Sequence, residues 1–324
     1  MELSVVVPAY GCRDCLPQLH ERLTKQLQAI TPDYEIVLVD DRSPDGSWSV
    51  LKAMATSDPH VKAIRLSRNF GQHNAITAGL AASQGEWTVV MDCDLQDPPE
   101  EIPALYDAAR HGGYDLVLAR RATRSHSWLR LLLARVYFKL LNTFMGTNID
   151  GTYGTFSILG RKVVNAYLAL GDRDRHYLFV LQWVGFERGS IEFEHAARAG
   201  GRSTYTLGRL IRHALSGVFF QTSNVLFYIV YLGFFLAAGG MLLALYLLYL
   251  VAVAHPPPGY TSVMVVMIIV SGFIIVSTGV TGLYIGRVFE QVKGRPLYVV
   301  DEVVQKQRTA PRTKSERREV ESVH

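Results

Sequence analysis

The sequence predicts an α/β fold, a mostly parallel sheet with helices on both faces, followed by interfacial helices and a two-helix transmembrane hairpin. Three observations carry this reading. Over residues 1–120 short apolar runs alternate with amphipathic segments; from Ala214 to Gly286 there is no Asp, Glu, Lys or Arg; and one apolar run ends on two carboxylates a residue apart, Asp92 and Asp94. Alternating strand and helix is the pattern of a parallel sheet covered on both sides. The chain has 324 residues, 49% hydrophobic and 19% charged, enough for one large domain and a membrane-embedded part.

In order along the chain, strands are expected at 3–7, 35–39, 61–66, 87–91 and 116–119, and helices near 15–28, 47–55, 72–83 and 102–110. Each of the first four strands runs into polar residues: Pro8-Ala9-Tyr10, Asp40-Asp41-Arg42-Ser43, Ser67-Arg68-Asn69 and Asp92-Cys93-Asp94. These ends should converge on one crevice at the carboxyl edge of the sheet, where open α/β folds bind ligands. Pro98 and Pro99 stop the fourth strand and open a helix carrying Glu100 and Glu101 in its first turn. If the backbone stays extended, Asp92 and Asp94 point the same way and can reach one hard cation that keeps open positions for phosphate oxygens. Alone, the pair is also what a solvated acidic loop would show.

No G-x-G-x-x-G follows the first strand and no G-x-x-x-x-G-K-[ST] occurs, which disfavours a dinucleotide enzyme or a P-loop NTPase. Cys12 and Cys15 have redox or zinc spacing but lack a second Cys or His pair, so with Cys93 they read as reduced bystanders.

Residues 228–251 and 263–283 each reach the ~20 residues that a bilayer-spanning helix needs, and His255-Pro256-Pro257-Pro258-Gly259 separates them into a hairpin. Arg202, Arg209 and Arg212 precede the first span, Arg287, Lys293 and Arg295 follow the second, and the connecting loop carries no Lys or Arg. Both ends are therefore expected in the cytoplasm, in a multi-pass protein of the inner membrane. The segment Met1-Glu2-Leu3-Ser4 has no basic n-region, so no signal peptide is expected. The domains read as 1–213, catalytic and cytoplasmic, 225–285, the hairpin, and 286–324, a cytoplasmic tail. The net charge of +4 lies largely near the membrane and in the tail, which favours anionic lipid or phosphate over nucleic acid.

The motifs Val6-Val7-Pro8-Ala9-Tyr10, Val39-Asp40-Asp41-Arg42-Ser43-Pro44-Asp45-Gly46, Ser67-Arg68-Asn69-Phe70-Gly71 and Met91-Asp92-Cys93-Asp94-Leu95-Gln96-Asp97-Pro98-Pro99 resemble, in order, those of family 2 glycosyltransferases with the GT-A fold. With Arg198-Ala199-Gly200-Gly201-Arg202-Ser203-Thr204-Tyr205 and the segment 286–298, the resemblance covers about residues 3 to 300. The branch it resembles makes polyisoprenyl-phosphate sugars.

The resemblance implies a nucleotide-sugar donor, UDP- or GDP-linked, and a membrane-held polyisoprenyl phosphate acceptor. It implies that Asp92, Asp94 and Gln96 hold Mg²⁺ or Mn²⁺, which neutralises the leaving diphosphate. Asp40 and Asp41 should hold the base or ribose, although Ser43-Pro44-Asp45-Gly46 also makes them a capped turn. Pro8, Ala9 and Tyr10 should line the nucleobase, with Arg68 and Cys93 close to the donor. Arg120, Arg121, Arg124 and Arg130, beyond the fifth strand, suit the lipid phosphate, with Arg198 and Arg202 as the alternative. Residues 128–145 read either as an interfacial helix or as a core helix with a basic face, and 207–220 is similarly ambiguous.

A phosphate monoester is largely dianionic near neutral pH, its second pKa being about 6. It needs little help from a base, and direct attack would invert the anomeric carbon. Three features depart from the family pattern: Gly11-Cys12 stand where Asn-Glu is common, Arg42 where a glycine is usual, and Thr152 where an Asp is common, leaving Asp150 as the nearest catalytic acid. For the sugar, a hexose such as glucose is the first reading; Gln72-His73 resembles the version in transferases of 4-deoxy-4-formamido-arabinose. A processive polysaccharide synthase would carry Gln-x-x-Arg-Trp, absent here, and a non-enzymatic scaffold would not need intact Asp92 and Asp94. Self-association into a homo-oligomer is left open.

Overall fold

The computed structural model describes residues 1–121, 153–173, 175–193, 224–254 and 259–306. The chain divides into two compact units. Met1–Ser125, Thr152–Arg202 and Pro296–His324 form one, and His126–Gly151 with Ser203–Arg295 the other.

The first unit is built on an eight-stranded sheet in the order β7-β5-β6-β4-β1-β2-β3-β8. Its strands are β1 (Leu3–Ala9), β2 (Tyr34–Asp40), β3 (Val61–Leu66), β4 (Trp87–Val90), β5 (Leu116–Arg121), β6 (Tyr153–Gly160), β7 (Arg188–Phe193) and β8 (Val300–Gln305). β1 pairs in parallel with both β2 and β4, β2 with β3, and β5 with β7. β6 runs antiparallel between β4 and β5, and β8 runs antiparallel along β3. Six strands thus point one way. The expected strand limits hold to within two residues.

The helices are α1 (Leu16–Ile30), α2 (Ser47–Ser57), α3 (Gln72–Ala82), α4 (Ile102–His111), α5 (Arg161–Ala169) and α6 (Tyr177–Val184). Residues along a strand alternate between faces, and here both faces are covered. Leu3, Val5 and Val7 of β1 pack with Leu16, Leu19, Leu23 and Leu27 of α1, which recur at helical spacing. Val6 packs on the other side with Ala75, Ile76 and Leu80 of α3 and with α5 and α6. Gly79 lets α3 approach closely, since a Cβ there would fall 2.3 Å from Val6 Cγ1.

Part of the expected tail belongs to this sheet. Val300–Gln305 fills the edge position beside β3, mostly exposed, with only Glu302 and Val304 partly buried. Residues 307–324 and the two candidate interfacial helices, 128–145 and 207–220, lie outside the described residues.

The second unit contributes two long helices, α7 (Asn224–Ala254) and α8 (Tyr260–Val292). By length and composition one stretch, Ile269–Val292, is long and apolar enough to cross a membrane, with mean hydropathy 1.7 and none of it buried. In α7 the apolar stretch Ile229–Leu243 is shorter. Large side chains such as Phe234, Phe235, Leu242 and Ile275 stand exposed, an apolar surface that water does not favour.

Candidate active site

The carboxyl ends of β1 to β4 meet at one edge, joined by side-chain bonds between loops about 20 to 60 residues apart in sequence. Asp45 binds two loops together: its carboxylate accepts the Ser43 hydroxyl (2.6 Å), the Ser47 hydroxyl (2.6 Å) and amide (3.0 Å), and the Arg13 amide (3.0 Å). Burial alone would push this carboxyl up; the four bonds outweigh it and hold the group well below the usual carboxylate range. Ser43 Oγ in turn accepts the Gly11 amide at 2.8 Å.

Asp41 uses both oxygens on the β3–α3 loop, accepting the amides of Phe70 (2.7 Å) and Gly71 (2.8 Å). Asp40 is fully buried, with one oxygen accepting the Ser43 amide at 3.0 Å and the other 3.7 Å from Arg65 Nε, too far for a hydrogen bond. Burial raises the pKa of both carboxyls, opposed by these amides and by Arg65 and Arg68. Both oxygens of Asp41 are thus engaged on this loop, and the second oxygen of Asp40 is buried without a hydrogen bond.

The common facing of Asp92 and Asp94 is expected on condition that the backbone stays extended. Instead β4 ends at Val90, Cys93 and Asp94 form a turn, and Leu95 takes the left-handed conformation (φ 61°). The period of two survives this bend. Met91, Cys93, Leu95 and Asp97 are buried, while Asp92, Asp94 and Gln96 between them are partly exposed on the open side. Asp92 Oδ1 accepts Gln72 Nε2 (2.7 Å) and Thr155 Oγ1 (2.9 Å), and Asp94 accepts the Gln96 amide at 3.1 Å. Among the described residues no three His, Cys, Asp or Glu side chains gather on one point. The oxygens on offer are two carboxylates and an amide, a set that suits a hard cation whose other ligands come from water or substrate phosphate.

The remaining expected residues separate into groups. Pro8 and Ala9 are buried, and Tyr10 stands 54% exposed at the rim. Cys93 is buried beside Cys12. Arg68 lies over the Phe70 ring at 4.2 Å and lines a polar cleft of about 350 Å³ together with Asn74, Arg173, Pro296 and Leu297. Arg120 sits opposite Glu192 in the β5–β7 register, its guanidinium 3.5 Å from that carboxylate. Arg121 ends β5. Arg124, Arg130, Asp150, Arg198 and Arg202 lie outside the described residues.

Residues 4–168 match the pattern of Glycosyl transferase family 2. The chain belongs to that family. This family 2 glycosyltransferase is 33% identical over 303 residues to the bactoprenol glucosyl transferase of Shigella phage SfII, covering 93% of its own length and 97% of the relative's. It is 34% identical over 308 residues to the undecaprenyl-phosphate 4-deoxy-4-formamido-L-arabinose transferase of Proteus mirabilis, covering 94% of each. Among solved structures, glucosyl-3-phosphoglycerate synthase from Mycobacterium tuberculosis, in complex with Mn²⁺, UDP-glucose and phosphoglyceric acid, aligns with a TM-score of 0.48 at 18% identity, over 68% of this chain and 79% of that one.

Sequence analysis noted Gln72 only within a Gln-His pair and gave Thr155 no role, yet both side chains bond Asp92. Gln72 opens α3 and Thr155 lies on β6, which enters the sheet beside β4. A polar residue at a helix start was visible in the sequence, but nothing local announced that β6 would insert there.

Proposed function

We propose that this glycosyltransferase moves a sugar from a nucleotide sugar to a polyisoprenyl phosphate, undecaprenyl phosphate foremost, with inversion at the anomeric carbon and with Mg²⁺ or Mn²⁺ as cofactor. The observation that carries the reading is the loop after β4, where the side chains of Asp92, Asp94 and Gln96 share the open side and their neighbours anchor the core. Asp92 and Asp94, with Gln96, would hold the cation, which supplies charge neutralisation for the departing nucleoside diphosphate. Gln72 and Thr155 both bond one oxygen of Asp92 and so hold its carboxylate in place at the head of this loop. Asp40 offers an acceptor to the base or ribose, Tyr10 a flat surface beside it, and Arg68 a charge toward the donor.

The acceptor reading draws on the relatives, whose names specify bactoprenol and undecaprenyl phosphate, and on the exposed apolar α8. A lipid tail stays in the bilayer, so its phosphate meets only a site held at the membrane surface. We read α7 and α8 as a hairpin that crosses the inner membrane twice with the catalytic unit in the cytoplasm. Arg120, Arg121, Arg124 and Arg130 are our candidates for the lipid phosphate, and Arg198 and Arg202 the alternative set. Glucose or a related hexose is the first donor reading. The Gln72–Asp92 contact gives weight to the second, 4-deoxy-4-formamido-arabinose, because it brings the Gln-His pair to the acidic loop.

The deciding experiment has two parts. A panel of UDP- and GDP-sugars with undecaprenyl phosphate identifies the donor. Asp94→Ala should then reduce turnover below about a tenth of wild type with folding intact, since a metal contributes several kcal/mol to such a transition state. A variant retaining more than that in saturating Mn²⁺ would remove Asp94 from cation binding.

A further inference from the structure

β8 closes a circuit that the sequence gives no hint of. Arg42 takes the left-handed conformation at φ 57°, a region that disfavours any residue with a Cβ. Its guanidinium bonds Asp301 on β8 at 2.7 Å. The same strand is fixed at several further points: Glu302 takes Lys52 at 2.7 Å, the Ser67 amide bonds the Val299 carbonyl at 2.9 Å, and the Lys306 amide bonds the Ala55 carbonyl at 3.2 Å. Just ahead of it, Pro296 and Leu297 line the cleft with Arg68, Phe70, Gly71 and Arg173. Arg42 directly follows Asp40 and Asp41 and precedes Ser43, whose amide holds Asp40. The loop is therefore gripped from outside by the stretch of chain that follows α8.

We infer that Arg42 and Asp301 are positioning residues for the donor, and that Pro296 and Leu297, which lead into β8, form one wall of the nucleotide-sugar pocket. This rests on the donor reading above. Arg42 need not touch the nucleotide. Its bridge to Asp301 ties the Asp40–Ser43 loop to β8, and so keeps the Asp40 acceptor and the Phe70–Gly71 side of the cleft in register. Both partners are 44% exposed, so the pair is a modest, salt-screened tether.

The test uses the full-length protein in detergent and titrates UDP and GDP, each with Mn²⁺, by calorimetry alongside steady-state kinetics. Asp301→Ala and Arg42→Gly should each weaken binding of the preferred nucleotide about three- to fivefold, the range an exposed ion pair supports. Donor KM should rise to match, with kcat within about twofold and acceptor KM unchanged. The double variant should be no worse than either single one, and the swap Arg42→Asp with Asp301→Arg should recover most of the affinity. Arg42→Gly is the discriminating variant, because glycine suits the turn and would be harmless if Arg42 served backbone shape alone. Unchanged affinity in both single variants, additive losses, or a fall in kcat at constant affinity would overturn the proposal. Asp94→Ala is titrated in parallel: if it loses Mn²⁺-dependent nucleotide binding while Asp301→Ala does not, the tether alone fails, and if Asp94→Ala binds like wild type, the donor reading fails first.

Discussion

His176 shows how much a single side chain is decided by its surroundings. It lies 4.4 Å from the His73 ring and 4.2 Å from Phe179, and burial brings its pKa down to about 4. Between that value and the ordinary 6.5 the unfolded chain binds a proton that the folded one refuses, so stability falls as pH drops through this window. Asp40 and Asp41 have the opposite sign: their raised pKa favours the folded state below the ordinary value of 3.8, and that contribution is lost as pH rises through the folded pKa. We expect the melting temperature to fall between pH 6.5 and pH 4.5, and His176→Phe to flatten that slope; an unchanged slope would place its source elsewhere. Asp92, Asp94 and Gln96 were legible in the sequence because their spacing of two decides which side they face, and the bend at Leu95 did not disturb it. Asp41 and Asp45 were not, because their partners, Phe70, Gly71 and Arg13, lie about 30 residues away and no local pattern records such a bond.

At the scale of elements, α3 carries both faces of the argument, opening with Gln72 at Asp92 and resting its middle on β1. Replacing Gly79 with Ala forces a methyl into Val6, with Val39 Cγ2 also only 3.2 Å away. Overpacking of this kind costs about 1–3 kcal/mol, partly offset by the ~1 kcal/mol that Ala gains over Gly in a helix. We expect a lower melting temperature and reduced turnover, with Val6→Ala restoring both in the double variant; full activity in Gly79→Ala alone would show that α3 can shift without moving Gln72. The first five strands and four helices could be read from the sequence because each alternates with its neighbour and buries a continuous apolar run. β6 and β8 could not. Both run antiparallel, β6 between β4 and β5 and β8 along β3, and these pairings join parts of the chain that no local pattern links.

At the scale of the whole molecule, the charge pattern around α7 and α8 predicts a side for each end. A cysteine at Gly259 should react with an impermeant thiol reagent from outside the cell, and one at Ser315 should not, in a background where the partly exposed Cys15 is replaced by Ser. The opposite labelling would separate the catalytic unit from cytoplasmic nucleotide sugars. The pairing of β8 with β3 also sets a timetable for synthesis. Lys52 and Glu302 are 250 residues apart, and at ribosomal speeds that interval lasts on the order of 10–50 s. Throughout it β3 has a bare edge, the kind of surface that invites the wrong strand. Its rightful partner emerges only after both long apolar helices have left the ribosome, so the sheet is finished last, and a nascent chain stalled at the translocon would hold a catalytic unit still lacking its final strand.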